Sequence, residues 1–328
     1  MTGTRRKRKW LKRFRRRVVD SVIAAGFGGG LRFVDWLSES GADRLARWVA
    51  GAVRLCCRDI RRTVEANLAV AFPEASDERR REIAHASFYH MVRNAVAFLR
   101  AIRNPARAVE LVDLTVVERN PMLAQLRASG QSALAVMPHL GSWELLGLAG
   151  SAAGIPISAV AHPVRNEGID ARITAAREIY GLHVIPSQGA VAGLRQDARE
   201  GRILVLIMDQ NTRVDEGGAF VDFFGLPVTM TRAPAVLARR LRLPLLAVAC
   251  VWQDGRYRLV VEELSQDARE FADEQALLQE LAAANERLIR AYPEQYIWTY
   301  KRWRYLPAGA EAALIARYPF YARPYGKS

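Results

Sequence analysis

The stretch SALAVMPHLGSWELLGLAG, Ser132–Gly150, decides the architecture. Its apolar run from Ala133 to Met137 has the length of a buried strand. The Pro138-His139 junction and Gly141-Ser142 make a sharp turn, and the Leu-rich remainder reads as a helix. Together they form a βα unit. Ser142 stands where an N-cap is expected, its hydroxyl able to accept from the free N–H groups of the first turn. His139 and Glu144 bracket that helix start. A loop folding back onto a first helical turn can bring an imidazole and a carboxylate at this spacing together. The carboxylate would fix the tautomer and stabilise the imidazolium, making the other ring nitrogen a general base. The competing reading is a hydrogen-bonded structural histidine. Position weighs against it, because open α/β sheets bind ligands at the carboxyl ends of their strands. The pair lacks the second histidine of a zincin helix, and no G-x-S-x-G elbow surrounds it. A base without an enzymic nucleophile points to direct activation of a substrate hydroxyl.

Outward from this unit, strands and helices alternate. Strands are predicted over Ala133–Met137, Ile157–Ala161, His183–Ile185, Ile203–Met208, Pro244–Val251 and Tyr257–Val261. Helices are predicted over Trp143–Ala153, Ile169–Tyr180, Ala190–Glu200, Thr231–Leu241 and Glu274–Ala291. Such alternation implies an α/β fold with a mostly parallel sheet covered by helices on both faces. No internal repeat, G-x-G-x-x-G or P-loop occurs, which argues against a nucleotide-using enzyme. Ahead of the sheet, Gly41–Arg54 and Ser76–Arg103 carry apolar residues at helical spacing, with a break at Asn67 and Phe72-Pro73. His85 and His90 fall in the second of these helices and read as structural. The thiols Cys56, Cys57 and Cys250 show neither metal nor disulfide spacing and read as buried free cysteines.

Polar residues that abruptly close a strand are candidate site residues. Asp209 ends Ile203–Met208, either facing a crevice or forming a turn. Arg177 lies on a helix ending near Gly181 and could meet an anionic group as a bidentate fork. An exposed helix arginine is the plain alternative. Phe220–Gly225 reads as a loop whose aromatics either line an apolar groove or belong to the core. Trp298, Lys301, Arg302 and Arg304 interleave aromatics with cations, a pattern suited to an anionic lipid interface.

Charge is unevenly distributed. The 328 residues carry a net +14, and residues 1–17 contain ten Lys or Arg and no acid, so the rest carries only +4. Such a tail suits nucleic acid, solvent or an anionic membrane. The following Val18–Leu37 is mostly apolar, but its longest uncharged run, Ser21–Leu31, is eleven residues, too short to span a bilayer. The pairing of a basic run with a short apolar segment is read as an interfacial anchor, with a spanning helix as the lesser alternative.

His139-x-x-x-x-Glu144 resembles the H-x4-D/E motif of glycerolipid-type acyltransferases. The flanking residues are similar to the lipid A secondary acyltransferases: Asn67-Leu68, Ala71-Phe72-Pro73-Glu74, HLGSWE, Arg177-Glu178 before Gly181, Asp209-Gln210-Asn211, Phe220–Gly225 with Pro227 and Thr229, and Pro293–Tyr296 with Trp298 and Arg302. The resemblance runs from about Asn67 to Arg304. It implies a glycerolipid-acyltransferase-like fold, with residues 1–40 as basic tail and membrane anchor, 41–310 as the acyltransferase domain (helical layer 41–110, α/β core 111–310) and 311–328 as a C-terminal tail. It implies transfer of a fatty acyl chain from an acyl carrier protein thioester to a hydroxyl of a lipid A precursor at the cytoplasmic face of the inner membrane, with acyl-CoA as the other possible donor and no metal or dissociable cofactor. His139 would be the base and Glu144 its orienting partner, with N–H groups near Gly141–Trp143 facing the oxyanion. Arg177, Asp209, Arg165 and Arg302 would bind substrate. Where related enzymes show Arg-Pro, this chain has His162-Pro163, with Arg165 as a possible replacement. Two other readings stay open: an acyltransferase acting on a lysophospholipid or a phosphatidylinositol mannoside, and a non-catalytic membrane- or nucleic-acid-binding protein using its basic tail, nucleic acid being unexpected.

Overall fold

The computed structural model describes residues 26–104 and 106–326. The basic run 1–17 and the first part of the expected anchor, through residue 25, lie outside the described residues. Residues 26–36 are helical (α1), followed by α2 (Glu39–Cys56), α3 (Arg58–Ala71) and α4 (Asp77–Arg103). Ser38 and Ser76 cap α2 and α4, each hydroxyl accepting a backbone N–H from three residues on at 3.1 Å. The break expected at Asn67 is absent. Asn67 is buried inside α3, donating to Trp298 O at 2.7 Å and Tyr300 O at 2.8 Å. The turn comes at Phe72-Pro73, where proline removes the N–H a helix would need. Among the described residues no helix is long and apolar enough to cross a membrane. Cys250 is buried as expected, whereas Cys56 is exposed.

Short elements α5 (Ala106–Leu111), β1 (Val112–Asp113), α6 (Val116–Arg119) and α7 (Pro121–Ser129) lead into the sheet. The alternating part runs β2 (Leu134–Met137), α8 (Trp143–Ala152), β3 (Ile157–Ala161), α9 (Glu167–Glu178), β4 (His183–Pro186), α10 (Ala190–Arg199) and β5 (Ile203–Ile207). Then come β6 (Gly218–Phe223), β7 (Leu226–Thr231), α11 (Ala233–Leu241), β8 (Leu245–Gln253), β9 (Arg256–Ser265) and α12 (Glu274–Ala291). The predicted strands and helices are all present, with ends moved by a few residues.

The main sheet has the order β1-β9-β8-β2-β5-β3-β4. It is parallel except for β8 and β9, joined through Asp254-Gly255. Both of those residues have positive φ, the type I′ geometry that lets a two-residue loop follow the twist of paired strands. Alternation sends Leu134 and Val136 of β2 to one face and Ala135 and Met137 to the other. One face meets α3, the first half of α4, α11 and α12, and the other meets α5, α7 and α8. With both faces covered, the central strands read as continuous apolar runs.

Phe220–Gly225 is no loop. It is the second half of β6 and the turn of a β6–β7 hairpin, with positive φ at Phe224 and Gly225. Phe224 is buried in that strained conformation against Phe72, Trp298 and Trp303, with ring centroids 5.7, 6.0 and 6.2 Å away. Burial of a large aromatic in this cluster offsets the left-handed backbone. Phe223 and Phe224 are core, while Phe220 is half-buried against Tyr325. Residues 311–326 fold back onto the same region, where Tyr318 donates to Pro227 O at 2.6 Å.

Candidate active site

Adjacent strands β2 and β5 pair in register, Met137 opposite Ile207. The chain leaves β2 toward β3 on one side, and leaves β5 toward β8 on the other. Their carboxyl ends therefore flank a crevice at a switch in strand order, the place where α/β sheets hold ligands. His139 stands two residues past β2 and Asp209 two residues past β5, so the matched register sets them side by side. His139 Nδ1 lies 2.6 Å from Asp209 Oδ1, and the His139 backbone N–H donates to Asp209 Oδ2 at 3.0 Å. One carboxylate thus fixes both the ring and the backbone of His139.

The turn carrying His139 is strapped from both sides. Gly141 N donates to Gln295 O at 3.0 Å, Ser142 N to Cys250 O at 2.7 Å, and Ile297 N to His139 O at 3.2 Å. Asn94 donates to Gly141 O at 2.8 Å and accepts from the Tyr257 hydroxyl at 2.8 Å. Gly141 has φ +62°, and a Cβ there would lie 1.9 Å from Cys250 O, so no larger residue fits. These straps correct two expectations. Ser142 is at the N-cap, but its hydroxyl makes no capping bond. The Gly141 and Ser142 N–H groups are already committed to carbonyls, so they are unavailable to an oxyanion.

Glu144 does not orient His139. Its carboxylate is held by Arg177 of α9, Nε to Oε2 at 3.1 Å and Nη2 to Oε1 at 2.6 Å, a bidentate fork that ties α8 to α9. The expectation of Arg177 as a free anion receptor is corrected by the same contact. Glu144 still acts on His139 through its charge. Asp209, expected to touch substrate, is 1% exposed with both oxygens used by His139. Arg165 is exposed on the loop after β3, and His162 rather than Arg165 lines the crevice. Arg302, expected at a lipid interface, is 1% exposed. Its Nη1 donates to Asn211 Oδ1 at 2.7 Å and Thr229 O at 3.1 Å. Trp298 is equally buried, so only Lys301 and Arg304 of that run reach the surface.

The electrostatics follow from this burial. Desolvation is the largest influence on His139 and by itself would lower its pKa. The charge and hydrogen bond of Asp209, with the charge of Glu144, outweigh it and hold the imidazole above its ordinary value. Desolvation would raise the Asp209 carboxyl, but His139 and the Arg302 charge outweigh it and keep the acid below the usual carboxylate range. With Nδ1 engaged by Asp209, Nε2 is the free nitrogen. It faces the Gln210 amide at 3.3 Å, and the ring packs edge-on to Trp143 at 4.8 Å between centroids.

His139, Glu144 and Arg177 line one cavity of about 980 Å³. Its wall includes Ala135 and Met137 of β2 and Val205 and Ile207 of β5, and it extends to Gln131 and Pro156 near the amino ends of the strands. The cavity thus runs along the full length of β2 and past its amino end. Gly147 and Gly150 of α8 also line it, and their missing side chains let Leu182 and Ile157 pack close, where an added Cβ would lie 3.2 Å from Leu182 Cδ2 and 2.7 Å from Ile157 Cδ1. A largely apolar slot with a histidine at one end suits an extended aliphatic ligand with a polar head.

A sequence profile described as bacterial lipid A biosynthesis acyltransferase matches residues 7–305. The chain is 26% identical over 264 residues to lipid A biosynthesis acyltransferase 2 of Shigella flexneri, covering 79% of this chain and 81% of that protein. It is 23% identical over 244 residues to the lipid A biosynthesis myristoyltransferase of Escherichia coli, 74% of each. It is 30% identical over 133 residues to a phosphatidylinositol mannoside acyltransferase of Mycobacterium tuberculosis, covering 39% of this chain and 41% of that protein.

Proposed function

The chain belongs to the bacterial lipid A biosynthesis acyltransferases, and from that membership we propose that it moves a fatty acyl chain from a carrier thioester to a hydroxyl of a lipid A precursor, with His139 as general base. It is an acyltransferase; the donor, acceptor and mechanism are the proposal. The observation that carries it is the pairing of His139 Nδ1 with Asp209, which leaves Nε2 free at the head of the apolar cavity. The acceptor hydroxyl takes the place of the exposed Gln210 amide at Nε2 and loses its proton there as its oxygen attacks the thioester carbonyl. Asp209 holds the tautomer and balances the imidazolium. The proton then leaves with the thiolate. The Trp143 N–H at the start of α8 and the Gln210 amide are the donors beside the developing oxyanion. No step passes through a metal or dissociable cofactor.

The donor proposed is acyl carrier protein, an acidic partner that a basic surface captures quickly, with acyl-CoA as the alternative. A second reading, acylation of a phosphatidylinositol mannoside, is favoured by the similarity to the mycobacterial enzyme. The test is acyl transfer by purified protein from acyl carrier protein and acyl-CoA thioesters to each acceptor, read by mass spectrometry of the lipid. Transfer to the lipid A precursor is expected. Transfer to the mannoside alone would establish the second reading, and transfer to neither would overturn both.

We place the protein at the cytoplasmic face of the inner membrane. Trp36 and Trp48, 83% and 73% exposed on the consecutive helices α1 and α2, stand among the exposed Arg32, Arg44 and Arg47, as interfacial aromatics and cations do. The tail adds charge, each Lys or Arg near an anionic surface contributing about 1 kcal/mol before screening. Deleting residues 1–17 should weaken binding to anionic vesicles and flatten its salt dependence, while transfer in detergent micelles stays nearly unchanged. Sedimentation over a salt series reads the first and a micelle assay the second. Unaltered vesicle binding would remove the tail from the anchor.

A further inference from the structure

We propose that Arg302 is a positioning residue: its buried charge keeps Asp209 ionised and sets the pH at which His139 becomes a base. Asp209 is a buried carboxylate with both oxygens spent on His139. A buried carboxylate needs a lasting countercharge, and His139 cannot supply one, because the base must be neutral to act. Arg302 is the buried cation that acts on Asp209. It is anchored by Nη1 to Asn211 Oδ1, two residues beyond Asp209, and to Thr229 O on β7. Asn211 is itself fixed, its N–H donating to the Tyr300 hydroxyl at 2.9 Å and its amide to Lys301 O at 3.0 Å. Arg302 Nε and Nη2 are buried without a hydrogen-bond partner among the described residues. The guanidinium lies over the Phe223 ring at 5.3 Å and lacks a full set of hydrogen bonds, an arrangement costly enough to call for a purpose.

The groups acting on this pair from each side are few. Glu144 on α8 adds negative charge near His139 and is itself paired with Arg177 of α9. Tyr296 stands beside both Asp209 and Arg302, burial keeping its phenol neutral, and Tyr300 and Tyr321 lie on the Arg302 side. Removing the positive charge of Arg302 leaves the Asp209 charge facing His139 without that opposition, so the His139 proton is held more tightly. The basic form then appears only at higher pH.

The inference rests on His139 being the base, so the test reads His139 with and without turnover. The Arg302→Gln variant keeps a donor for Asn211 and Thr229 but loses the charge, whereas Arg302→Lys keeps the charge. In R302Q the acidic limb of kcat/KM should move up by about one pH unit, with up to tenfold lower rate below it, and KM should stay close to native. In R302K the limb should stay in place. An NMR titration of the His139 ring should show the same pattern in both variants. Unmoved limb and titration in folded R302Q would reduce Arg302 to a structural prop and overturn the proposal. Should R302Q not fold, R302M is the second neutral variant. If neither folds while R302K does, the charge serves folding and the proposal fails. A shifted titration in a protein whose activity does not need His139 would instead overturn the proposed mechanism and leave the coupling intact.

Discussion

Replacing His139 by alanine should lower turnover by about two to four orders of magnitude, the range for a lost general base. No neighbouring group can take over. Asp209 is buried behind the ring, and Glu144 is committed to Arg177. The substitution also leaves Asp209 Oδ1 without its partner, a loss of about 1–3 kcal/mol of stability for a buried acceptor. Turnover should therefore be measured below the melting temperature of the variant, with circular dichroism confirming the fold. In the native enzyme the raised pKa of His139 predicts a rate that climbs with pH through a limb above the ordinary imidazole value, because only the neutral ring accepts a proton. Native-like transfer by a folded His139→Ala protein would end the mechanism.

The second large effect is expected from Asp209→Asn, about three to four orders of magnitude in kcat, as loss of the orienting carboxylate costs in a Ser-His-Asp triad. The amide keeps the shape. Its oxygen can accept from the His139 backbone N–H, which turns its NH2 toward Nδ1. The ring must then carry its proton on Nε2, where the base is needed. The acidic limb should also move down, because the charge that raised the His139 pKa is gone. That direction is opposite to the one expected for R302Q. Glu144→Gln is the control. It weakens the fork to Arg177 but leaves Nδ1 on Asp209, so its loss should be far smaller than that of D209N. If E144Q proves the more damaging, Glu144 rather than Asp209 supports the base, through a contact absent from this arrangement.

The βα unit at Ser132–Gly150 was legible because its signals are local. A five-residue apolar run, a Pro-His-x-Gly turn and a Leu-rich helix each follow from backbone preference and burial over a few residues. The same holds for the alternation that produced the parallel sheet and for His139 at a strand's carboxyl end. The hairpin Gly218–Thr231 is not legible in the sequence because its turn, Phe224-Gly225, places a bulky residue at positive φ, a choice that local preference disfavours. Burial against Phe72, Trp298 and Trp303, far away in sequence, makes it stable.

The partner of His139 could not be read from spacing. Five residues separate His139 from Glu144 and seventy separate it from Asp209, so a linear reading favours Glu144. What sets the pair is strand order: β5 lies between β2 and β3, and the register Met137 to Ile207 carries positions 139 and 209 into contact. Glu144 meanwhile finds Arg177, because α9 packs where its fork reaches α8. Arg302 offered even less warning. Charged residues belong at the surface unless paired, and only the packed interior shows that this one is buried, bonded to Asn211 two residues beyond Asp209. The sequence by itself determined the strands and helices of the main sheet, the candidate His139 and the end of the sheet at which it sits, because these depend on short-range preference and periodicity. Only the tertiary structure decided which carboxylate meets His139 and that Arg302 is buried, because both depend on strand order and packing between segments far apart in the chain.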